Sequence, residues 1–316
     1  MNTSTVASEA SATPRVVILM GVYNGAAHLR EQLDSIAAQT HPNWVLRVSD
    51  DGSSDATLAI LADFAARFEP GRVDVRPGPR AGFIRNFLSL ACAPGVEADY
   101  YAFVDQDDVW EARKLEVALE RLRGSDGPAL YCSRTRYIDE QGGEAGASPL
   151  FAQTPCFRNA IVQSVAGGNT MVFNEAARAL LVHAGEEVAV ASHDWWLYLL
   201  VSGHGGRVIY DSWMSVHYRQ HDTNLVGGNV GARARLARMS QLWRGRFARW
   251  NAMHCESLAR NLDMLTPENR VVFEHFRASR EGGVFHRLRE IVRSGAFRQT
   301  RMGHLGLYAA VVLNRF

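Results

Sequence analysis

Three carboxylates stand within four residues in Asp105-Gln106-Asp107-Asp108, directly after an apolar run at 100–104 that reads as a buried strand. Carboxylates this close repel one another, and a divalent cation or a bound proton would offset their charge at the end of a core strand. Magnesium and manganese favour oxygen ligands and keep positions open for phosphates, so a strand-end Asp-x-Asp suits an anchor for a nucleoside diphosphate. The bland alternative is a turn whose aspartates only cap the next helix. A second acidic pair, Asp50-Asp51, opens Asp50-Asp51-Gly52-Ser53-Ser54-Asp55. One of the two could accept a hydrogen bond from the imide of uracil or thymine while Asp51 and Asp55 cap a helix. Arg85 could pair with a phosphate, or lie solvated.

Farther along, His193-Asp194-Trp195-Trp196 precedes an apolar run. Asp194 near a helix start is either a cap or a general base that takes the proton of an acceptor hydroxyl, with His193 as rival base. Trp195 and Trp196 suit the core, or an indole face stacked on a ring. In His217-Tyr218-Arg219-Gln220-His221-Asp222-Thr223-Asn224, a histidine could complete a metal shell and Arg219 could neutralise a leaving diphosphate; a surface loop is the alternative.

The elements that must position these groups alternate. Residues 15–22 read as a strand, Tyr23-Asn24-Gly25 as a loop, and 27–39 as a helix with Leu29, Leu33 and Ile36 at helical spacing. Strand 44–49, loop 50–55 and helix 56–68, with apolar Leu58, Leu61 and Phe64, repeat the unit. Strand 72–76, helix 82–92 and strand 100–104 extend it, which predicts a mainly parallel α/β sheet flanked by helices. Ligands of open α/β sheets sit at strand C-terminal ends, so the loops at Tyr23, Asp50 and Asp105 are expected to converge on one crevice. After a helix to 123, a strand at 129–137, a hairpin or loop at 139–148, a strand at 170–173 and another at 207–210 follow.

Length and composition set bounds. The 316 residues are 47% hydrophobic, enough for a full core. The net charge of +1 hides an asymmetry, because residues 231–316 hold 16 Arg against 6 acidic groups and residues 1–230 hold 18 basic against 27 acidic groups. Lys114 is the single lysine. The expected organisation is a flexible segment at 1–14, a catalytic domain at 15–230 (nucleotide part about 15–110, acceptor part about 111–230) and a basic helical region at 231–316. Four scattered cysteines without C-x-x-C spacing suit a reducing, cytoplasmic setting. No secretory signal or spanning segment is visible, so membrane contact is expected to be peripheral, through Leu242, Trp243, Phe247 and Trp250 among Arg244, Arg246 and Arg249. No nucleic-acid motif stands out.

Together, Val22-Tyr23-Asn24-Gly25, Asp50 to Asp55, Asp105-Gln106-Asp107-Asp108-Val109-Trp110, Gly168-Asn169-Thr170, His193-Asp194-Trp195 and Tyr218-Arg219-Gln220-His221 resemble the inverting family 2 glycosyltransferases. Within that family of GT-A fold, the bacterial rhamnosyltransferase-like branch is most similar, over roughly residues 15–225. The resemblance implies a Rossmann-like sheet with a C-terminal helical extension. It implies a nucleotide site of Tyr23, Asn24, Asp50, Asp51, Arg85, Asp105 and Gln106. Mg2+ or Mn2+ would be held by Asp105, Asp107 and His221, Asp194 would be the base, and Asn169, His193, Trp195 and Arg219 would face donor or acceptor sugar. The implied reaction is a single displacement from a dTDP or UDP sugar, L-rhamnose among them, to a saccharide or lipid-linked saccharide acceptor in surface polysaccharide synthesis. The wider family often has Glu-Asp where His193 precedes Asp194 here. The alternatives are a haloacid-dehalogenase-like phosphatase, whose nucleophile motif Asp105-Gln106-Asp107-Asp108-Val109 also fits, and a non-catalytic nucleotide-sugar-binding protein.

Overall fold

The computed structural model describes residues 13–95, 97–220 and 246–316. The first part repeats a β-α unit: β1 (Val16–Val22), α1 (Leu29–Ala37), β2 (Trp44–Asp50), α2 (Thr57–Ala65), β3 (Val73–Pro77), α3 (Phe83–Ala91) and β4 (Tyr100–Val104). β1 is apolar at nearly every position because helices cover both faces of the sheet, which removes any need for alternation. It pairs in parallel with β2 on one side and β4 on the other, Val22 opposite Asp50 and Met20 opposite Val104. Three strands therefore end side by side, and the loops at Tyr23, Asp50 and Asp105 leave from one edge, as the alternation predicts. Leu29, Leu33 and Ile36 are buried, whereas Leu58 is half exposed. Helix α2 begins at Thr57, which turns Ile60, Leu61 and Phe64 inward together and leaves Leu58 on the outer side.

The second part is mixed. β5 (Val109–Trp110), α4 (Lys114–Leu122), β6 (Ala129–Ile138), β7 (Glu144–Ala147), α5 (Phe157–Ala160), a 3-10 turn at Gly168–Thr170, β8 (Val172–Asn174), α6 (Glu175–Ala184), α7 (His193–Gly203) and β9 (Arg207–Arg219) follow. The sheet order is β3-β2-β1-β4-β8-β6-β9-β5, with β7 on β6. β8 runs antiparallel between β4 and β6, while β6 and β9 form a long parallel ladder. The sequence ends this last strand at 210; the structure carries it on to Arg219. His217 faces Val109 of β5 and Arg136 of β6, so His217, Tyr218 and Arg219 belong to a strand and not to the expected loop.

Helix α7 is apolar almost all round and is buried on nearly every side. Against it pack α8 (Arg246–Ala259), through Trp250 and His254 on Trp195, and α9 (Pro267–Ala278), through Asn269 on the Ser202 and Gly203 carbonyls; α10 (Val284–Ser294) and α11 (Arg301–Val312) follow. Phe247, Leu258, Phe273, Ile291 and Leu307 from these helices share one core with Phe87, Phe103, Trp195 and Trp196, and a second core fills the opposite face of the sheet. The expected boundary near residue 230 lies outside the described residues, as do residues 1–12. Two aromatics expected on a membrane-facing helix point inward. Phe247 is buried under Arg298, and Trp250 packs edge-on against Trp195 at 6.1 Å. Leu242, Trp243 and Arg244 lie outside the described residues.

Candidate active site

On the nucleotide side the loops are laced by short polar side chains. Tyr23 and Gln106 exchange two hydrogen bonds, the Tyr23 N–H to Gln106 Oε1 at 2.9 Å and Gln106 Nε2 to the Tyr23 carbonyl at 3.1 Å. This tie requires Gly25, since a Cβ there would lie 2.4 Å from Gln106 Oε1. Asn24, at φ 47°, adopts the left-handed conformation that Asn tolerates. Its N–H donates to Ser53 Oγ at 2.9 Å and its Oδ1 accepts from the Ser54 N–H at 2.8 Å, joining the first loop to the second. The Asp50 carboxylate, nearly buried, accepts from the Gly52 and Ser53 N–H groups. Asp55 accepts from the Thr57 N–H at 3.0 Å just ahead of α2, and the Thr57 hydroxyl holds its carboxyl below the usual range. Asp51 does not cap: it accepts from the Arg80 and Gly82 N–H groups at 2.6 and 2.9 Å and so fastens the loop after β3. The Tyr23 ring remains 59% exposed at the mouth of these loops, free to meet a flat base.

Beside them lies the acidic loop. Burial, then the charges of Asp107 and Asp194, push the Asp105 carboxyl up to about 8. The same interaction brings Asp194, far off in sequence, into the electrostatic reach of the Asp105 loop. Asp108 is fully buried and raised well above the carboxylate range, first by burial and then by Asp107 and Asp105. It accepts from Asn169 Nδ2 at 2.5 Å and from the Arg219 N–H at 3.3 Å. The single lysine proves central. Lys114 is wholly buried, lies 4.4 Å over the Trp110 ring, donates to the Thr170 carbonyl at 3.2 Å and supplies positive charge to Asp108. Burial pulls its ammonium down to about 7. One protein cation, Lys114, thus lies within electrostatic reach of Asp108, while Arg219 meets it through its backbone N–H.

The 168–170 turn joins the acidic loop to Asp194. The Gly168 N–H donates to Asp194 Oδ2 at 2.9 Å, Asn169 holds Asp108, and Thr170 receives Lys114. Three consecutive residues therefore fix the acidic loop, the start of α7 and α4 relative to one another. Gly168 is required by proximity, because a Cβ would meet His193 Nε2 at 2.7 Å and Asp194 Cβ at 3.2 Å. Asp194 sits in the first turn of α7, where its Oδ1 also accepts from the Trp195 N–H at 2.6 Å.

Several expected site residues lie elsewhere. Trp195 belongs to the core: it is buried, and its indole N–H donates to the Ala160 carbonyl at 2.6 Å, so its face is closed to a sugar. His193 is stacked on Phe87 at 4.1 Å and edge-on to Phe103, and burial lowers it to about 4, which makes it a weak rival to Asp194 as a base. Arg219 is 2% exposed and directs its guanidinium to Glu31 and to the carbonyls of Asp107, Asp139 and Glu140. It supports the acidic loop from behind rather than facing a sugar or a diphosphate. Arg85 reaches Glu187 at 2.9 Å, and His217 pairs with Glu111 at 2.8 Å. His221 lies outside the described residues. The sequence reading assigned no role to Arg80 or Tyr218. The exposed Arg80 side chain covers Gly52, and the Tyr218 hydroxyl is pushed up by burial and then by Asp105, Asp108 and Asp107, which puts it beside the acidic loop. A Gly/Pro-rich strand end, Gly78 to Gly82, was the available signal for Arg80.

Comparison with known proteins agrees with this geometry. The chain is 27% identical over 230 residues to the dTDP-rhamnosyl transferase RfbG of Shigella flexneri, a match covering 70% of this chain and 78% of that one. It is 34% identical over 117 residues to the UDP-Glc:alpha-D-GlcNAc-diphosphoundecaprenol beta-1,3-glucosyltransferase WfgD of Escherichia coli, covering 37% of this chain and 44% of that one. The mannosyltransferase PcManGT of Pyrobaculum calidifontis, solved with GDP-Man and Mn2+, shares the fold at a TM-score of 0.55 and 19% identity, covering 96% of this chain and 81% of that one. The phosphatase alternative finds no support, since the acidic motif follows the fourth strand and not the first. Residues 17–181, just over half of the chain, match the family model Glycosyl transferase family 2, and with the GT-A architecture described above this chain belongs to that family of glycosyltransferases.

Proposed function

We propose that the protein transfers a hexosyl group, L-rhamnose foremost, from a dTDP or UDP donor to a saccharide or lipid-linked saccharide in surface polysaccharide synthesis, inverting the anomeric carbon. The observation that carries this reading is the 168–170 turn, whose adjacent residues hold Asp108 of the acidic loop and Asp194 of α7. Asp194 takes the proton of the acceptor hydroxyl, which attacks the anomeric carbon as the diphosphate departs. The N–H groups of Gly168 and Trp195 orient its carboxylate and leave lone pairs for that hydroxyl. Tyr23 and Asp50 bind the base and ribose, with Asn24, Asp51 and Gln106 shaping their loops. Arg85, held by Glu187, would reach the diphosphate only after giving up that ion pair.

Asp105 and Asp107 would hold Mg2+ or Mn2+. The donor set is all oxygen, and burial beside other carboxylates leaves an ionised Asp105 in need of positive charge. Among the described residues no three His, Cys, Asp or Glu side chains are grouped to hold a metal, and His221 lies outside them; donor phosphate oxygens and water would complete the shell. Bound there, the ion would draw off charge from the departing diphosphate. The name of the Shigella relative supports the dTDP-rhamnose donor, that of the E. coli relative supports a lipid-linked acceptor, and the Mn2+ of the mannosyltransferase supports metal use. We assign the reaction to the cytoplasm, at the inner face of the plasma membrane.

Isothermal calorimetry of UDP and of dTDP, each with and without Mn2+, tests the reading on the intact protein and on Asp107→Ala. Metal-dependent binding is expected in the intact protein and is lost in the variant, and the preferred base selects the donor. Failure of both nucleotides to bind with metal overturns the proposal.

A further inference from the structure

Residues 302–313 contain no Asp, Glu, Lys or Arg. Helix α11 buries Leu307 and Val311 against the core, yet Met302 is 78% and Leu305 64% exposed, and Val312 and Leu313 are also open. Gly306 and Ala309 are exposed between them, so the outer side of this helix is apolar, the reverse of an ordinary surface helix. α10 repeats the pattern: Phe285, 84% exposed, and exposed Val292 lie seven residues apart on one stripe with exposed Arg289 between them. Arg287 draws the two surfaces together, donating to the Val311 and Val312 carbonyls at 3.0 Å each and so bringing the start of α10 beside the end of α11.

The charge of the segment that carries this apolar surface is one-sided. Residues 284–316 carry Arg287, Arg289, Arg293, Arg298, Arg301 and Arg315 against a single acid, Glu290. Glu290 is buried and engaged by His275 and Arg293. Exposed apolar side chains rimmed by arginine match an interfacial helix pair on anionic lipid. A second copy of the chain would set one arginine rim against another, whereas an anionic surface complements it. No helix among the described residues is long and apolar enough to cross a membrane, so the contact is a seat on the surface.

We propose that the outer face of α10 and α11 docks the protein on a membrane rich in anionic lipid. Helix α8, whose Phe247 and Leu258 share a core with Ile291 of α10 and Leu307 of α11, packs on α7, the helix that carries Asp194, through Trp250 and His254 against Trp195. The docked face thus belongs to the acceptor side, and its purpose, presentation of a lipid-linked acceptor, rests on the function proposed above; the lipid contact itself does not.

The test is co-sedimentation of the full chain with vesicles of phosphatidylcholine alone and with roughly a third phosphatidylglycerol, at low and high salt. The expected result is salt-sensitive binding to the anionic vesicles. Leu305→Glu with Val312→Glu, and separately Arg289→Glu with Arg301→Glu, should each weaken it by roughly tenfold or more, with melting temperature and nucleotide binding unchanged. Absence of binding by the parent protein, or equal binding by the variants, overturns the proposal. So does a dimer on gel filtration that Leu305→Glu with Val312→Glu abolishes, which assigns the face to a second copy. Vesicle binding without UDP or dTDP binding supports the docking surface and defeats only the nucleotide-sugar reading.

Discussion

The two sides of the crevice are held by different forces. On the nucleotide side, Asn24, Ser53, Asp55 and Gln106 make hydrogen bonds that water can replace, each worth about 1 kcal/mol. On the acidic side, Asn169 and the Arg219 N–H meet buried Asp108 while buried Lys114 meets the Thr170 carbonyl, and removal of a partner leaves a polar group without solvent. The nucleotide loops can therefore shift to suit a base or a ribose at little cost. The separation between the acidic loop and the base is set in the interior.

Four perturbations separate the sides, in falling order of effect. Asp194→Asn keeps the hydrogen bond from Gly168 but removes the base, so kcat should fall by about 10²–10⁴-fold while calorimetric nucleotide affinity is kept; unchanged kcat would move the base elsewhere. Lys114→Met should cost roughly 1–3 kcal/mol in urea unfolding, because the buried Thr170 carbonyl loses its donor and Asp108 loses a nearby positive charge. A loss under about 1 kcal/mol would mean that Asp108 is carried as a neutral acid hydrogen-bonded to its neighbours. The third concerns pH. Burial lowers His254 to about 3, so this side chain stays neutral in the folded chain while an unfolded histidine takes up a proton below about 6.5. Its contribution is complete above that pH and declines as pH falls, by up to about 1.4 kcal/mol per unit. Asp105, raised by burial, titrates in the opposite sense, so the measurement is the stability difference between the parent and His254→Gln from pH 7 to 5. That difference should move against the parent as the solution is acidified, and a constant difference would show a solvated imidazole. The smallest effect is expected from Gln106→Ala, about 1 kcal/mol or less in stability, with a clear rise in the Kd for nucleotide as the Tyr23 loop loosens.

The alternation of strands and helices, and the convergence of the loops at Tyr23, Asp50 and Asp105, were legible because strand runs and helical spacing are local properties and parallel pairing brings strand ends together. Asp194 in the first turn of α7 was legible for the same reason. The links that organise the site were not. Asn169 meets Asp108 across 61 positions and Lys114 meets Thr170 across 56, and nothing in either neighbourhood announces the other. Lys114 passed as a detail of composition. Arg219 and His217 read as loop residues because the stretch is locally polar, whereas its pairing with β5 and β6 is made by residues far away in sequence. Trp195 resisted assignment because an indole serves a core and a sugar platform equally well, and only its hydrogen bond to Ala160 decides between them.

The turn at Gly168–Thr170 acts as a shared datum for two working parts. In a machine whose parts are located one from the next, positional errors accumulate along the chain of references; here both parts are gauged from neighbouring peptide units, within roughly 10 Å of backbone. Pieces that make no contact with this network can then be exchanged for those of a relative to alter what is recognised, with the spacing between Asp194 and the acidic loop carried over intact. Chimeras that keep residues 168–170 should retain turnover, and chimeras that cut through them should lose it even when every catalytic side chain is present.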